Sequence, residues 1–345
     1  MFVACARCAV PPFAGITPLT DISLRDPTIL AARAATVARS GAGEARFRAT
    51  ALAAALLVLL IFAGVIGALI LGSLPAFQAF GLSFVVTEAW SPSRGIFGAL
   101  GPITGTLITS LLAMAIALPV GIGIAVFLTE LCPRLLRRPL GIAIELLAGI
   151  PSIIYGIWGL FFFAPWFQQH VQMPVIDALA DVPVLNTLFG GAPYGIGVFT
   201  AGLILSIMIL PFISAVTRDV LETVPGVLKE ASYGLGATQW EVMWKVALPF
   251  SRVGIVGGAM LALGRALGET MAVTFVIGNA HHIAASLFAP GTSISAAIAN
   301  EFSEATSPLY ISSLIYLGLV LYAITFIVLA GALLLLRALE RKAGK

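Results

Sequence analysis

Polar and apolar positions along this chain alternate in long blocks, not in short turns. From Ala49 there is no charged residue until Glu88, and about 20 consecutive apolar residues suffice to cross a bilayer core. The same criterion predicts six helical spans, near 50–73, 102–128, 140–165, 194–216, 252–279 and 309–336. Gly149-Ile150-Pro151-Ser152 should kink or break the third span, because proline lacks the amide donor a helix needs. An outer stretch with Glu88, Trp90 and Arg94 follows the first span, and a basic loop with Arg134, Arg137 and Arg138 follows the second. Two longer segments, 166–193 and 280–307, read as polar loops holding acidic residues but no Lys or Arg.

Composition turns these blocks into a class. The 345 residues are 59% hydrophobic and 10% charged, with mean hydropathy +1.04. A soluble domain carries about 25% charged residues, so the expectation is an all-α integral membrane protein. The net charge of +3 identifies no partner, but its placement is informative. Seventeen of the nineteen Lys and Arg lie in the N-terminal tail, 129–139, 217–252 and the C-terminal tail; Arg94 and Arg265 are the others. By the positive-inside rule both ends and the 217–252 connection face the cytoplasm.

Residues 1–48 are Ala- and Arg-rich and are expected to form a partly disordered cytoplasmic extension, with a helix on the membrane near Ala31 to Arg48. The transmembrane domain is expected over 49–340. Cys5-x-x-Cys8 has no second Cys/His pair, and His281-His282 has no third ligand, so neither makes a metal site. No catalytic triad or paired-carboxylate arrangement stands out, and no cofactor is implied. There is no G-x-x-x-x-G-K-[ST] phosphate loop, so energy must come from a partner chain or an ion gradient.

The polar island 226–249 is too patterned for a passive turn. Pro225-Gly226 breaks the chain, Val227 to Tyr233 can form a short helix, and Gly234 and Gly236 can stop it. Thr238-Gln-Trp-Glu241 has capping-box spacing and predicts a second short helix, closed by Pro249, with Trp240, Met243, Trp244 and Ala247 on one face. Such a knob beside a membrane suits a socket on another protein; an ordinary amphipathic loop is the plainer alternative.

The fifth span contains Gly264-Arg265-Ala-Leu-Gly268-Glu269. Arg265 lies about 20 Å along the helix from Arg252 at 1.5 Å per residue, near mid-bilayer. A charge there costs at least about 2.5–3.5 kcal/mol and needs a partner or water. Glu269, four residues on, is expected to pair with it on the same face, along with Gly254, Gly258, Leu261, Gly268 and Ala272, and the G-x-x-x-G pairs 254/258 and 264/268 should let another helix approach closely. Arg265 and Glu269 are either a substrate-pathway device, the guanidinium fork receiving an oxyanion, or an ion pair that fixes helix packing. Glu145, near the inner end of the third span, is expected to snorkel to the interface.

Two resemblances sharpen this. Glu230-Ala231-Ser232, then Gly236, then Val246-Ala247-Leu248-Pro249 resembles the EAA loop of ABC importer permeases, departing from it by Ser232 for Ala and Val246 for Ile. Gly264-Arg-Ala-Leu-Gly-Glu-Thr-Met-Ala-Val, Trp90-Ser-Pro, Phe97-Gly-Ala-Leu, Pro119 to Glu130 and Glu145 to Ser152 resemble phosphate importer permeases of the PstC type. The resemblance covers roughly residues 50–340. It implies a type I (MetI-like) permease fold in a bacterial inner membrane, with six transmembrane helices and both termini inside. It also implies phosphate import driven by ATP hydrolysed on a homodimeric cytoplasmic ATPase (PstB type). The other implied partners are a second permease (PstA type) and an extracytoplasmic phosphate-binding protein (PstS type), with no nucleic acid. Glu230, Ala231, Ser232, Gly236, Leu248 and Pro249 would couple to the ATPase. Another oxyanion, such as molybdate, sulfate or phosphonate, or a non-transporting membrane anchor, are the alternatives.

The charge bias makes topology testable. Single cysteines at positions 180 and 300 should react with an impermeant thiol reagent in sealed cells, and one at 136 should not. Labelling at 136 would reverse the orientation.

Overall fold

The computed structural model describes the backbone of residues 27–343, with side chains for 43–338 and 341. Residues 1–26 of the expected N-terminal extension, with the cysteine pair at 5 and 8, and the last two residues lie outside the described residues. The chain divides into two units at Val65 and Ile66. The described part of the first is one uninterrupted helical stretch, which includes the helix expected near 31–48. Every other element belongs to the second unit.

The elements are helices: α1 (Pro27–Phe80), α2 (Leu100–Leu131), α3 (Arg134–Ala148), α4 (Ser152–Leu179), α5 (Val198–Glu222), α6 (Gly226–Gly234), α7 (Gln239–Leu267), α8 (Met271–Val276), α9 (Ile294–Glu301) and α10 (Pro308–Ala343). Among the described residues five helices are long and apolar enough to cross a membrane, and a sixth span exists if α3 and α4 are counted together.

α5 is the centre of the fold. Ile204, Leu205, Ile209 and Ile213 are fully buried among Ala113 and Ala117 of α2, Ala262 and Ala266 of α7, and Ala272, Val273 and Val276 of α8. Lipid gives no hydrophobic drive for helices to associate, so small residues that allow close packing take that role. A Cβ at Gly202 would lie 2.5 Å from Leu112, one at Gly121 would lie 2.8 Å from Ile213, and one at Gly254 or Gly258 would lie 2.6 Å from Val220 or Val216. Hence α2 and α7 both lie directly on α5. The 254/258 glycine pair works as expected. The 264/268 pair does not: Gly264 makes only ordinary contact with Leu329, and Gly268 ends α7.

Three sequence expectations need correction. The third span bends by 87° between α3 and α4, and the helix then continues to Leu179, followed by a further turn over Pro183–Phe189. Most of the expected loop 166–193 is therefore helical. Pro151 forces the break, because the residue before a proline is disfavoured in the helical region, and Tyr155 O–H closes it by donating to Leu147 O at 2.8 Å. The fifth span starts near Gln239, not Arg252. The segment 280–307 is not merely a loop, for it holds α9, whose Ile294, Ser295, Ala296 and Ala297 are buried.

The loops opposite the basic connections converge on one carboxylate. Glu301 is 8% exposed. Its Oε2 accepts from Trp90 Nε1 at 2.8 Å and Tyr310 O–H at 2.6 Å, and its Oε1 lies 2.6 Å from His281 Nε2. Trp90 stacks on His281 with centroids 5.0 Å apart, and Phe97 stacks on Tyr310. Four separate segments are thereby joined: the stretch after α1, the loop after α8, α9 and α10. Burial raises the carboxyl's pKa, but the donors from His281, Tyr310 and Trp90 together outweigh it and hold the value below the ordinary carboxylate range.

A depressed folded-state pKa contributes stability that is complete above the unfolded value and is lost as pH falls through the folded one. The melting temperature of the purified protein should therefore fall with acidification below the ordinary carboxylate range, and Glu301→Gln should flatten that fall. Glu301→Ala strands three polar groups and should cost about 3–5 kcal/mol, the scale for breaking a buried charged pair. Equal pH profiles for parent and Glu301→Gln would remove Glu301 as the cause.

Candidate functional site

The coupling segment is built largely as its spacing predicts. α6 covers Gly226–Gly234, and Gly236 turns the chain at φ +86°, a region that favours glycine. The capping box is present: Thr238 Oγ1 accepts from Glu241 N at 3.3 Å, and Thr238 N donates to Glu241 Oε2 at 3.0 Å.

Pro249 does not close this unit. The helix that begins at Gln239 continues to Leu267 through a widened turn at Met243–Ala247, in which Leu248 N donates to Met243 O. That i→i+5 step shifts the hydrogen-bond register, so Pro249 occupies the first turn of the following stretch, where its missing N–H costs little. The second short helix is thus the lower end of α7, which makes the elbow continuous with the membrane helix.

The expected single face also splits in two. Met243 and Ala247 are buried with Ala125 of α2 and Leu221 and Val224 at the end of α5. Trp240 and Trp244 point outward with rings 5.3 Å apart, 68% and 54% exposed. Leu235, at the elbow, is 90% exposed. Glu230 and Ala231 are exposed, Ser232 is half-buried with its O–H donating to Leu228 O at 2.8 Å, and Leu248 is half-buried beside an exposed Pro249. The segment is tied to the end of α2: Lys229 Nζ lies 2.5 Å from Glu130 Oε1, and Gln239 Nε2 donates to Glu130 O at 2.9 Å. Neither tie was anticipated, because Lys229 and Gln239 lie about a hundred residues from Glu130.

The charged pair is rearranged. α7 ends at Leu267, so Glu269 is not one turn above Arg265 on a continuous helix. Among the described residues the two form no ion pair. Glu269 instead closes the break: its Oε1 accepts from Ala272 N in the first turn of α8 at 3.3 Å, and its backbone carbonyl accepts from Ser295 Oγ of α9 at 2.7 Å. Arg265 is exposed on the surface of this chain. The expected face separates accordingly, with Gly254 and Gly258 turned to α5 and Leu261 and Arg265 turned outward. Glu145 makes an ion pair with Arg218 at 2.6 Å.

This arrangement can present a cationic fork, unclaimed by any carboxylate among the described residues, at the broken end of a membrane helix. It holds no nucleophile–base constellation. Among the described residues no group of three or more His, Cys, Asp or Glu could hold a metal.

Comparison with known proteins bears on the family of the chain. The family described as "Binding-protein-dependent transport system inner membrane component" matches residues 117–344. The chain is 59% identical over 318 residues to the phosphate transport system permease protein PstC of Mesorhizobium japonicum, covering 92% of this chain and 97% of that protein. Identity to the same-named protein of Pasteurella multocida is 58% over 302 residues, with coverage of 88% and 94%. A chain of the inward-facing MetNI methionine ABC transporter aligns with TM-score 0.49 and 19% identity, over 75% of this chain and 97% of that one.

Proposed function

The chain belongs to the binding-protein-dependent inner-membrane permeases, in the PstC branch, and is the permease subunit of a phosphate ABC importer; from that premise we propose how its residues serve transport. It is a multi-pass membrane protein, and the bacterial inner membrane is its proposed location. The proposed assembly pairs this permease with a second one of PstA type. A homodimeric PstB-type ATPase lies on the cytoplasmic side and a PstS-type binding protein outside. ATP is hydrolysed on the ATPase, and the permease converts that closure into a switch between outward- and inward-open states.

Arg265 carries the pathway assignment. A guanidinium within a candidate span costs too much to be left bare in lipid, yet here it is exposed and has no carboxylate partner among the described residues. Facing a second permease across an aqueous path, it would meet phosphate with two parallel hydrogen bonds. Glu269 sits at the adjacent break, so its negative charge opposes excessive retention of the anion while its oxygen holds α8 in place.

Coupling is assigned to Glu230, Ala231, Ser232, Gly236, Leu248 and Pro249, around the exposed surface formed by Leu235, Trp240 and Trp244. Because α7 runs unbroken from Gln239 to Leu267, a push on that surface travels along one rigid element to Arg265.

Two measurements test these roles in assembled complexes. Arg265→Lys keeps the charge but loses the fork, and at about 1.5–3 kcal/mol for charged hydrogen bonds phosphate uptake should fall roughly ten- to hundredfold. Glu269→Gln retains an acceptor for Ala272 N and should impair uptake less, through slower release. Parental uptake by Arg265→Lys would place the pathway elsewhere. Separately, Glu230→Lys should abolish ATPase stimulation by loaded binding protein while leaving membrane insertion intact; unchanged stimulation would remove Glu230 from the coupling surface.

A further inference from the structure

A second cationic site lies away from Arg265, between α3 and the end of α5. Arg134, Arg137, Arg138 and Arg218 line a cleft of about 440 Å³ with Gly141, Ile142, Glu145 and Glu222. Its size falls within the range of about 300–1,000 Å³ found for small-molecule sites. Four guanidiniums face two carboxylates there, and the carboxylates are unequally engaged. Glu145 is taken by Arg218 at 2.6 Å, which also reaches Asp219 at 3.2 Å. Arg137 donates to Thr129 O. Arg134 and Arg138 are exposed and make no ion pair among the described residues.

Two features show that this charge is organised rather than scattered. Gly141 permits the close approach of Arg218, since a Cβ there would lie 3.0 Å from Arg218 Nη1. Arg134, Arg137 and Arg138 fall in the first five residues of α3, with no acidic residue in its first turn. The N-terminal end of a helix already carries about half a positive charge, so basic residues there are unfavourable until an anion is bound. Arg134, Arg138, Gly141 and Glu145 follow one helical stripe. Leu135, Ile142 and Leu146, on the flank of α3 next to that stripe, are exposed, and Ile142 also lines the cleft. A basic amphipathic helix of this kind suits the membrane interface, and basic pockets between helices on the cytoplasmic side suit anionic head groups.

We propose that this cleft is a second phosphate-group site, on the cytoplasmic side, in which Arg134, Arg138 and Arg218 receive a tetrahedral phosphate oxyanion. An anionic phospholipid head group, its acyl chains running along Leu135, Ile142 and Leu146, and free cytoplasmic phosphate present the same chemistry. The site depends on the inward placement of the basic loop but not on the role of Arg265.

The test uses the assembled complex in lipid nanodiscs, with Arg134→Gln/Arg138→Gln as the variant and Arg265→Gln in both backgrounds to silence the proposed pathway. In one arm, discs mix phosphatidylglycerol and phosphatidylcholine, and native mass spectrometry counts retained lipid. In the other, discs are phosphatidylcholine alone, and equilibrium binding of radiolabelled orthophosphate is measured without binding protein. Retention of phosphatidylglycerol that falls tenfold or more in the variant supports the proposal with a lipid head group. Orthophosphate binding that falls tenfold or more supports it with free phosphate. If the parent selects neither, or if the variant binds as the parent does, the proposal is overturned. Retention of the partner subunits in both samples establishes that the comparison is between intact complexes.

Discussion

A chain within hydrocarbon cannot leave a backbone amide or carbonyl unpaired, since each such group costs several kcal/mol. Three breaks in this fold are closed under that constraint by a specific side chain or loop. The bend between α3 and α4 is closed by the Tyr155 hydroxyl on Leu147 O. The break between α7 and α8 is closed by the Glu269 carboxylate on Ala272 N and by Ser295 on Glu269 O. The last turn of α8 is closed by backbone: Gly197 N donates to Val276 O and Gly291 N to Ile277 O, each at 2.9 Å. Irregular backbone at membrane depth is tolerated where it is buried in protein or lines a water-filled path. The proposed pathway makes the α7–α8 break an instance of the second case, because Arg265 lies one turn before it.

The local rules were the most legible part of the sequence. The capping box at Thr238 and Glu241, the turn at Gly236 and the break at Pro151 each follow from a few adjacent residues, and each is found in place. The errors arose where a local signal competed with a register shift or a distant partner. Pro249 reads as a stop, yet a widened turn one step earlier absorbs it. Arg265 and Glu269 read as an i,i+4 pair, but that spacing presumes a continuous helix. Gly268, followed by a carboxylate able to cap the next turn, was the available sign that the helix would end. The segments 166–193 and 280–307 read as loops because polar residues dilute them. Helix does not require apolar residues, however, and Ser293 caps α9 through Ala296 N at 3.2 Å.

Distant pairings were the least legible. Glu301 and His281 look like solvated loop residues, and nothing local indicates that Trp90 and Tyr310 will close over them. The aromatic residues were the available signal: a Trp and a Tyr beside polar loops need partners for their N–H and O–H once buried. The resemblance to phosphate permeases sharpened the reading of the two informative stretches but could not show how either was built.

The two faces of the permease are joined with different strength. On the side of Glu301, a buried carboxylate bonded to three neighbours holds four segments together, and breaking such a joint is expensive. On the side of α6 the ties are single ion pairs: Arg218 with Glu145, which is partly exposed and contributes about 0–1 kcal/mol, and Lys229 with Glu130, which is mostly buried but joins only two side chains. The lower end of α7 is held mainly by Met243 and Ala247 packing against α2 and α5. Packing of small apolar faces permits sliding at modest cost, whereas hydrogen bonds to a buried charge do not. Under the coupling proposed above, a cycle driven from the α6 side would meet most resistance at the Glu301 joint, where one buried carboxylate holds four segments. Motion would then follow α7 toward Arg265 and not enter the loops around Trp90 and His281.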